Sequence, residues 1–176
     1  TAVYITVAAL IVPSLIESGI MPIAAHMFAF YFGVVSTITP PVALASFAGA
    51  AIAKSPPMST AVESSKVGIA KYIVPFAFVY NPSLLMEGPI IWSIYSLISV
   101  LLAYWCMTLG LEGWFNGKLN AFKRTLALIG SVALLIPPLQ NIYGIDGIYY
   151  NFIGVLILMM IYYLQGKLNF KLKAST

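Results

Sequence analysis

Apolar residues in this chain come in long blocks separated by short polar gaps, without the two-residue alternation of half-buried strands. Six blocks stand out: about Thr1 to Ile16, Ala24 to Ala53, Val67 to Leu85, Pro89 to Leu111, Thr125 to Leu139 and Ile148 to Leu164. The gaps carry helix-breaking punctuation: Glu17-Ser18-Gly19, Lys54-Ser55-Pro56-Pro57, Asn81-Pro82 and Pro137-Pro138. Proline lacks an amide donor and its ring clashes with the preceding turn, so these pairs end helices. Ser59 to Lys71 reads as a short amphipathic helix, with Ser59 as its cap and Glu63 and Lys66 sharing a polar face.

Composition turns these helices into membrane helices. Of 176 residues, 61% are hydrophobic and 8% charged, against about 25% charged in a soluble domain. A soluble fold of this size could not hide so much apolar surface. In lipid every backbone group needs an internal partner, which leaves helices or closed barrels, and the unbroken runs exclude the barrel. The pattern therefore predicts an all-α, polytopic transmembrane protein. The chain opens on Thr1 inside an apolar run, with no charged leader region, and is read as a piece of a longer polypeptide.

Charge then sets orientation. The formal net charge is +4, but the basic residues occupy gaps and form no aromatic-laced basic face, which excludes a nucleic-acid partner. Lys54, Lys66 and Lys71 lie between blocks two and three, Lys118, Lys123 and Arg124 between four and five, and Lys167, Lys171 and Lys173 after six. These are all 9 Lys and Arg residues. If the helices alternate, all nine fall on one side, opposite Glu17, Glu87 and Asp146. The positive-inside rule makes that side, and the C-terminus, cytoplasmic in a bacterial or archaeal inner membrane. Trp92, Tyr95, Trp105, Trp114, Tyr149 and Tyr162 gather near predicted helix ends, as interfacial aromatics do.

Block two differs from the others. It runs for about 30 residues where a straight crossing needs about 20, and its middle holds Gly33, Ser36, Thr37, Thr39, Pro40 and Pro41. Two adjacent prolines remove two donors and push the preceding residue out of the helical region, so the helix must open there. Carbonyls freed in hydrocarbon need partners. A bound cation or a water-lined cavity supplies them, as in the discontinuous helices of secondary transporters. The hydroxyls of Ser36, Thr37 and Thr39 add hard oxygen ligands suited to Na+. The alternative is a proline kink in which the hydroxyls bond back to their own carbonyls. Beyond the break, Ala45, Gly49 and Ala53 place small residues on one face, as close helix packing requires.

Other candidate chemistry is sparse. Cys106 is the one cysteine, inside an apolar block, so no disulfide or Cys/His metal cluster can form within the chain. His26, the one histidine, sits at the outer end of block two, where a packing or interfacial role outweighs a proton relay. The carboxylates all fall in gaps, whereas a carboxylate enzyme in the membrane needs one at depth. Three readings follow: a secondary transporter, a membrane-embedded enzyme, or a structural subunit without its own site. The broken block favours the first, and the chain is read as a non-enzyme.

The stretch from Ala25 to Leu85 resembles the large membrane subunit of tripartite ATP-independent periplasmic (TRAP) transporters. The resemblance rests on Ala25-His26-Met27-Phe28, Phe30-Tyr31-Phe32-Gly33, Thr37-Ile38-Thr39-Pro40-Pro41-Val42-Ala43-Leu44, Val74-Pro75-Phe76 and Phe78-Val79-Tyr80-Asn81-Pro82-Ser83-Leu84-Leu85. It is nearest to the fused permeases whose partner is a binding protein of the TAXI class. Val42-Ala43-Leu44 departs from the Val-Gly-hydrophobic run of the unfused branch. The resemblance implies import of an organic anion delivered by a periplasmic substrate-binding protein. It implies an elevator core of two inverted repeats, each with a re-entrant hairpin and a discontinuous helix. Sodium usually drives such transport, with H+ the alternative in the TAXI branch, and no other cofactor is implied. Thr1 to Ile16 becomes a re-entrant hairpin arm. Gly33, Ser36, Thr37, Thr39, Pro40 and Pro41 become ion- and substrate-binding positions, completed by the rest of the same permease chain. Residues 1–86 then belong to the transport core. Residues 87–176, which carry no such motif, form three further transmembrane helices of scaffold type.

Overall fold

The computed structural model describes residues 2–115, 117–142 and 144–173, and side chains within these except at residues 142 and 166–173. The expectations for Thr1 and for the side chains of Lys167, Lys171 and Lys173 lie outside the described residues. The protein divides into two compact units, Thr1–Gly88 and Pro89–Thr176.

Unit 1 is built from helices too short to cross a bilayer singly. They are α1 (Ala2–Glu17), α2 (Pro22–Val35), α3 (Leu44–Ala53), α4 (Pro57–Val67) and α5 (Ile69–Tyr80), followed by a 3-10 turn at Pro82–Leu85. α1 and α2 form an antiparallel hairpin. Gly19, at φ +89°, closes α1 with two bonds: its own amide reaches the Ile16 carbonyl at 2.9 Å, and the Ile20 amide reaches Leu15 at 3.1 Å. That left-handed position suits glycine because no β-carbon clashes there. The hairpin packs through Val12, Ala25 and Ala29, whose small side chains let the helices approach. α2 packs against α5 through aromatic edges: Phe28 meets Phe76 at 5.3 Å and Tyr31 meets Phe78 at 5.4 Å between centroids.

Two local expectations are corrected here. Ser59 does not cap α4: the helix begins at Pro57, with Pro56 as its N-cap residue and no side-chain cap. A proline at the first helical position needs no partner for a missing amide, so the start moves upstream. The Glu63–Lys66 pair does form, at 2.7 Å. The face of Ala45, Gly49 and Ala53 is exposed, with nothing within 4 Å of a β-carbon built at Gly49. α3 instead packs on α4 and buries Ser46 and Ala50.

Unit 2 contains α6 (Ile90–Glu112), α7 (Ala121–Leu135) and α8 (Gly147–Lys173), with a two-residue ribbon, β1 (Asn141–Ile142) and β2 (Ile145–Asp146), before α8. Among the described residues, Ile90–Glu112 and Gly147–Gln165 are the two helices long and apolar enough to cross a membrane alone. At 1.5 Å per residue, the 23 residues of α6 reach about 34 Å, enough for the roughly 30 Å hydrocarbon layer. α7 packs between α6 and α8 through Ala103, Cys106 and Leu134. Cys106 is fully buried, a packing residue.

The C-terminus of α6 is finished by a side chain. Arg124 donates from Nε to the Gly110 carbonyl at 3.0 Å and from Nη2 to Leu111 at 2.8 Å. Its charge complements the negative end of the helix dipole. The end of α7 is finished by neighbours. Pro137 and Pro138 cannot donate to the carbonyls of Ala133 and Leu134, four residues earlier. Ser99 Oγ of α6 donates to Leu134 at 2.6 Å. The Asn151 amide of α8, oriented with its nitrogen toward the carbonyls, donates to Ala133 at 2.9 Å and Ile136 at 3.1 Å. Both polar residues are buried.

Candidate functional site

The long second block of the sequence is two helices, α2 and α3, joined by an open segment, Ser36–Ala43. The last regular bond of α2 runs from the Ser36 amide to the Phe32 carbonyl at 3.1 Å. The chain then tightens: Thr37, Ile38 and Thr39 donate three residues back, to Val34, Val35 and Ser36, at 3.1, 3.1 and 3.3 Å. Pro40 and Pro41, joined by a cis peptide, offer no amide. The Thr37 carbonyl, deprived of its partner at Pro41, accepts from the Ala45 amide at 2.9 Å across the loop. Ala43 donates to Thr39 at 2.9 Å and sits at φ +35°, a left-handed conformation that re-aims the chain into α3. Among the described residues no backbone donor reaches the Pro40 or Pro41 carbonyl.

The three predicted hydroxyls all lie at the break, and each donates to a carbonyl of the last turn of α2. Ser36 bonds Gly33 at 2.7 Å, Thr37 bonds Val34 at 2.8 Å and Thr39 bonds Val35 at 2.7 Å. The helix therefore opens as the proline pair requires, while its hydroxyl protons are committed to the helix it leaves. Their oxygens keep lone pairs, since a donating hydroxyl still accepts.

Thr37 and Thr39 face different clefts. Thr37 and Gly33 line a cavity of about 450 Å³ between α1 and α2, together with Tyr4, His26 and Phe30. His26 Nδ1 lies 3.0 Å from the Tyr4 hydroxyl, so the histidine ties the hairpin together. At Gly33 the backbone of Tyr4 passes 3.5 Å from where a β-carbon would sit, an ordinary contact. Thr39 and Pro40 line a second cavity, about 570 Å³, with Ser65, Lys66 and Tyr72.

Sequence reasoning missed three polar residues around the break. Ser65 Oγ, from α4, lies 3.0 Å from both the Ile38 and Ala61 carbonyls, sharing one proton between them. Tyr72, from α5, places its hydroxyl 2.7 Å from Thr39 Oγ1. Ser46, in the first turn of α3, is 5% exposed and its hydroxyl has no partner. A signal for Ser46 existed: it is the one hydroxyl residue between Val42 and Ala53. Tyr72 and Ser65 had none, because their contacts span 33 and 27 residues.

The donor set at the break is neutral oxygen throughout. Among the described residues no group of three His, Cys, Asp or Glu side chains could hold a metal. Hydroxyls and carbonyls without carboxylates suit a monovalent cation better than Ca2+ or Mg2+, whose sites draw on carboxylates. Residues 1–92 match the family model described as tripartite ATP-independent periplasmic transporter, DctM component. No curated protein and no solved structure matches the chain.

Proposed function

We propose, from the premise that the chain belongs to the DctM component family of tripartite ATP-independent periplasmic transporters, that unit 1 supplies one half of a cation-coupled transport site. The family makes the chain a membrane component of a transporter. The single observation that carries the finer reading is the opened segment between α2 and α3. A purely structural helix gains nothing from an interrupted hydrogen-bond ladder in lipid. In this reading Gly33, Ser36, Thr37, Thr39, Pro40 and Pro41 form the half-site. Na+ is the coupling ion, with H+ as the alternative. The rest of the same permease chain completes the site, and a periplasmic binding protein delivers an organic anion. α1 serves as the returning arm of a re-entrant hairpin, α6 to α8 as a scaffold, and the lysine-bearing gaps face the cytoplasm.

The competing reading is a proline break whose hydroxyls serve only their own carbonyls, and the three back-bonds favour it. Uptake separates the two. The full-length permease in proteoliposomes, with its binding protein and a panel of mono- and dicarboxylates, is driven by an imposed sodium or proton gradient. Uptake that needs the binding protein and one gradient supports transport. Uptake indifferent to both gradients overturns cation coupling, and unchanged cation dependence in Thr39→Val removes the site from the break.

A further inference from the structure

Thr39 carries the hydroxyl most firmly held at the break. Its oxygen is 2.7 Å from the Val35 carbonyl and 2.7 Å from the Tyr72 hydroxyl. A threonine hydroxyl has one proton and two lone pairs. The carbonyl can only accept, so the Thr39 proton goes to Val35. The Tyr72 contact must then be a donation from tyrosine to threonine. The result is a directed chain, Tyr72 to Thr39 to Val35, in which each bond polarises the next. One lone pair of Thr39 is occupied by Tyr72 and the other stays free, with its direction fixed by the two bonds.

We propose that Tyr72 is a positioning residue that holds Thr39 Oγ1 with its remaining lone pair ready for the coupling cation, and so ties occupancy of the break to α5. This rests on reading the break as an ion site. Tyr72 is half-buried on α5, and the cleft that it shares with Thr39 also holds Lys66. The Lys66 ammonium is paired with Glu63 at 2.7 Å, so its charge is balanced locally. Ser65, 3.0 Å from the Ile38 carbonyl, grips the neighbouring residue from α4. Helices after the break thus hold it from outside, and a preorganised ligand binds more tightly because less freedom is lost on binding.

The test uses the purified full-length permease in detergent and reads its thermal stability against sodium chloride, with choline chloride keeping ionic strength constant. A parallel series titrates pH in choline chloride. Ligand binding to the folded state raises the melting temperature in proportion to ln(1 + [L]/Kd), so the concentration at which the rise sets in reports affinity. Thr39→Val should abolish the stabilisation by the effective cation. Tyr72→Phe should move that onset to about three- to tenfold higher concentration, the effect of losing one hydrogen bond. Its melting temperature without the cation should stay within about 2 °C of the parent, because only a hydroxyl is removed. A parent-like onset in Tyr72→Phe overturns the role of Tyr72 and leaves the site standing. A parent-like titration in Thr39→Val, or a parent stabilised by neither cation, overturns the site itself and the tyrosine with it.

Discussion

At Pro40–Pro41 and at Pro137–Pro138 the same arithmetic applies: a proline pair deprives two carbonyls, four residues upstream, of their donors. The orphans are Ser36 and Thr37 in unit 1, Ala133 and Leu134 in unit 2. In unit 1 the replacements come from the segment itself, the Thr39 amide for Ser36 and the Ala45 amide for Thr37. In unit 2 they come from neighbouring helices, Asn151 of α8 and Ser99 of α6. The first solution loops the chain and leaves the Pro40 and Pro41 carbonyls without a backbone donor among the described residues. The second plugs the helix end with buried side chains and leaves α7 sealed. A proline pair in an apolar helix thus does not by itself mark a site. What matters is whether the surroundings close the gap that it makes.

Breaking the plug should have the largest effect on stability. Asn151→Leu leaves the Ala133 and Ile136 carbonyls without their donor and should destabilise the full-length permease by about 2–4 kcal/mol, seen in thermal unfolding, with the onset of the cation response unchanged. Adding Pro137→Ala to that variant restores an amide for the Ala133 carbonyl and should recover part of the loss. Next comes Gly147→Ala. A β-carbon there would overlap the Pro137 carbonyl, at a cost of about 1–3 kcal/mol, again read by unfolding. Ser99→Ala removes one bond, and about 1 kcal/mol is expected from the same measurement. Thr39→Val should have the smallest effect on stability, about 0.5–1 kcal/mol, yet abolish the cation response. If it destabilised the protein as much as Asn151→Leu, the contrast between an open break and a sealed one would collapse.

The break was legible because proline acts locally: Thr39-Pro40-Pro41 dictates missing amides whatever the tertiary setting. The helix ends at Glu17 and Leu135 follow from Gly19 and Pro137 for the same reason. The α4 start was misread because Ser59 is a good cap residue, but Pro57 fits the first helical position better. The small-residue face at Ala45, Gly49 and Ala53 is real as a pattern, yet packing selected Ser46 and Ala50. At the site, Thr37 and Thr39 are two apart in sequence, and their division between two clefts depends on α1 and α5. Tyr72 was invisible for a related reason: a contact across 33 residues leaves no periodicity to read. The plug in unit 2 was equally hidden, since Ser99 and Asn151 look like any polar residue in an apolar helix.

Borrowed donors also constrain the order in which unit 2 is completed during synthesis. Ser99 emerges from the ribosome before α7, and Asn151 after it. Until the later helix arrives, the Ala133 carbonyl lacks the donor that α8 supplies, and an apolar setting penalises such a gap. The last turn of α7 therefore cannot settle on its own schedule. Its final hydrogen bonding is reached only once α8 has packed against it.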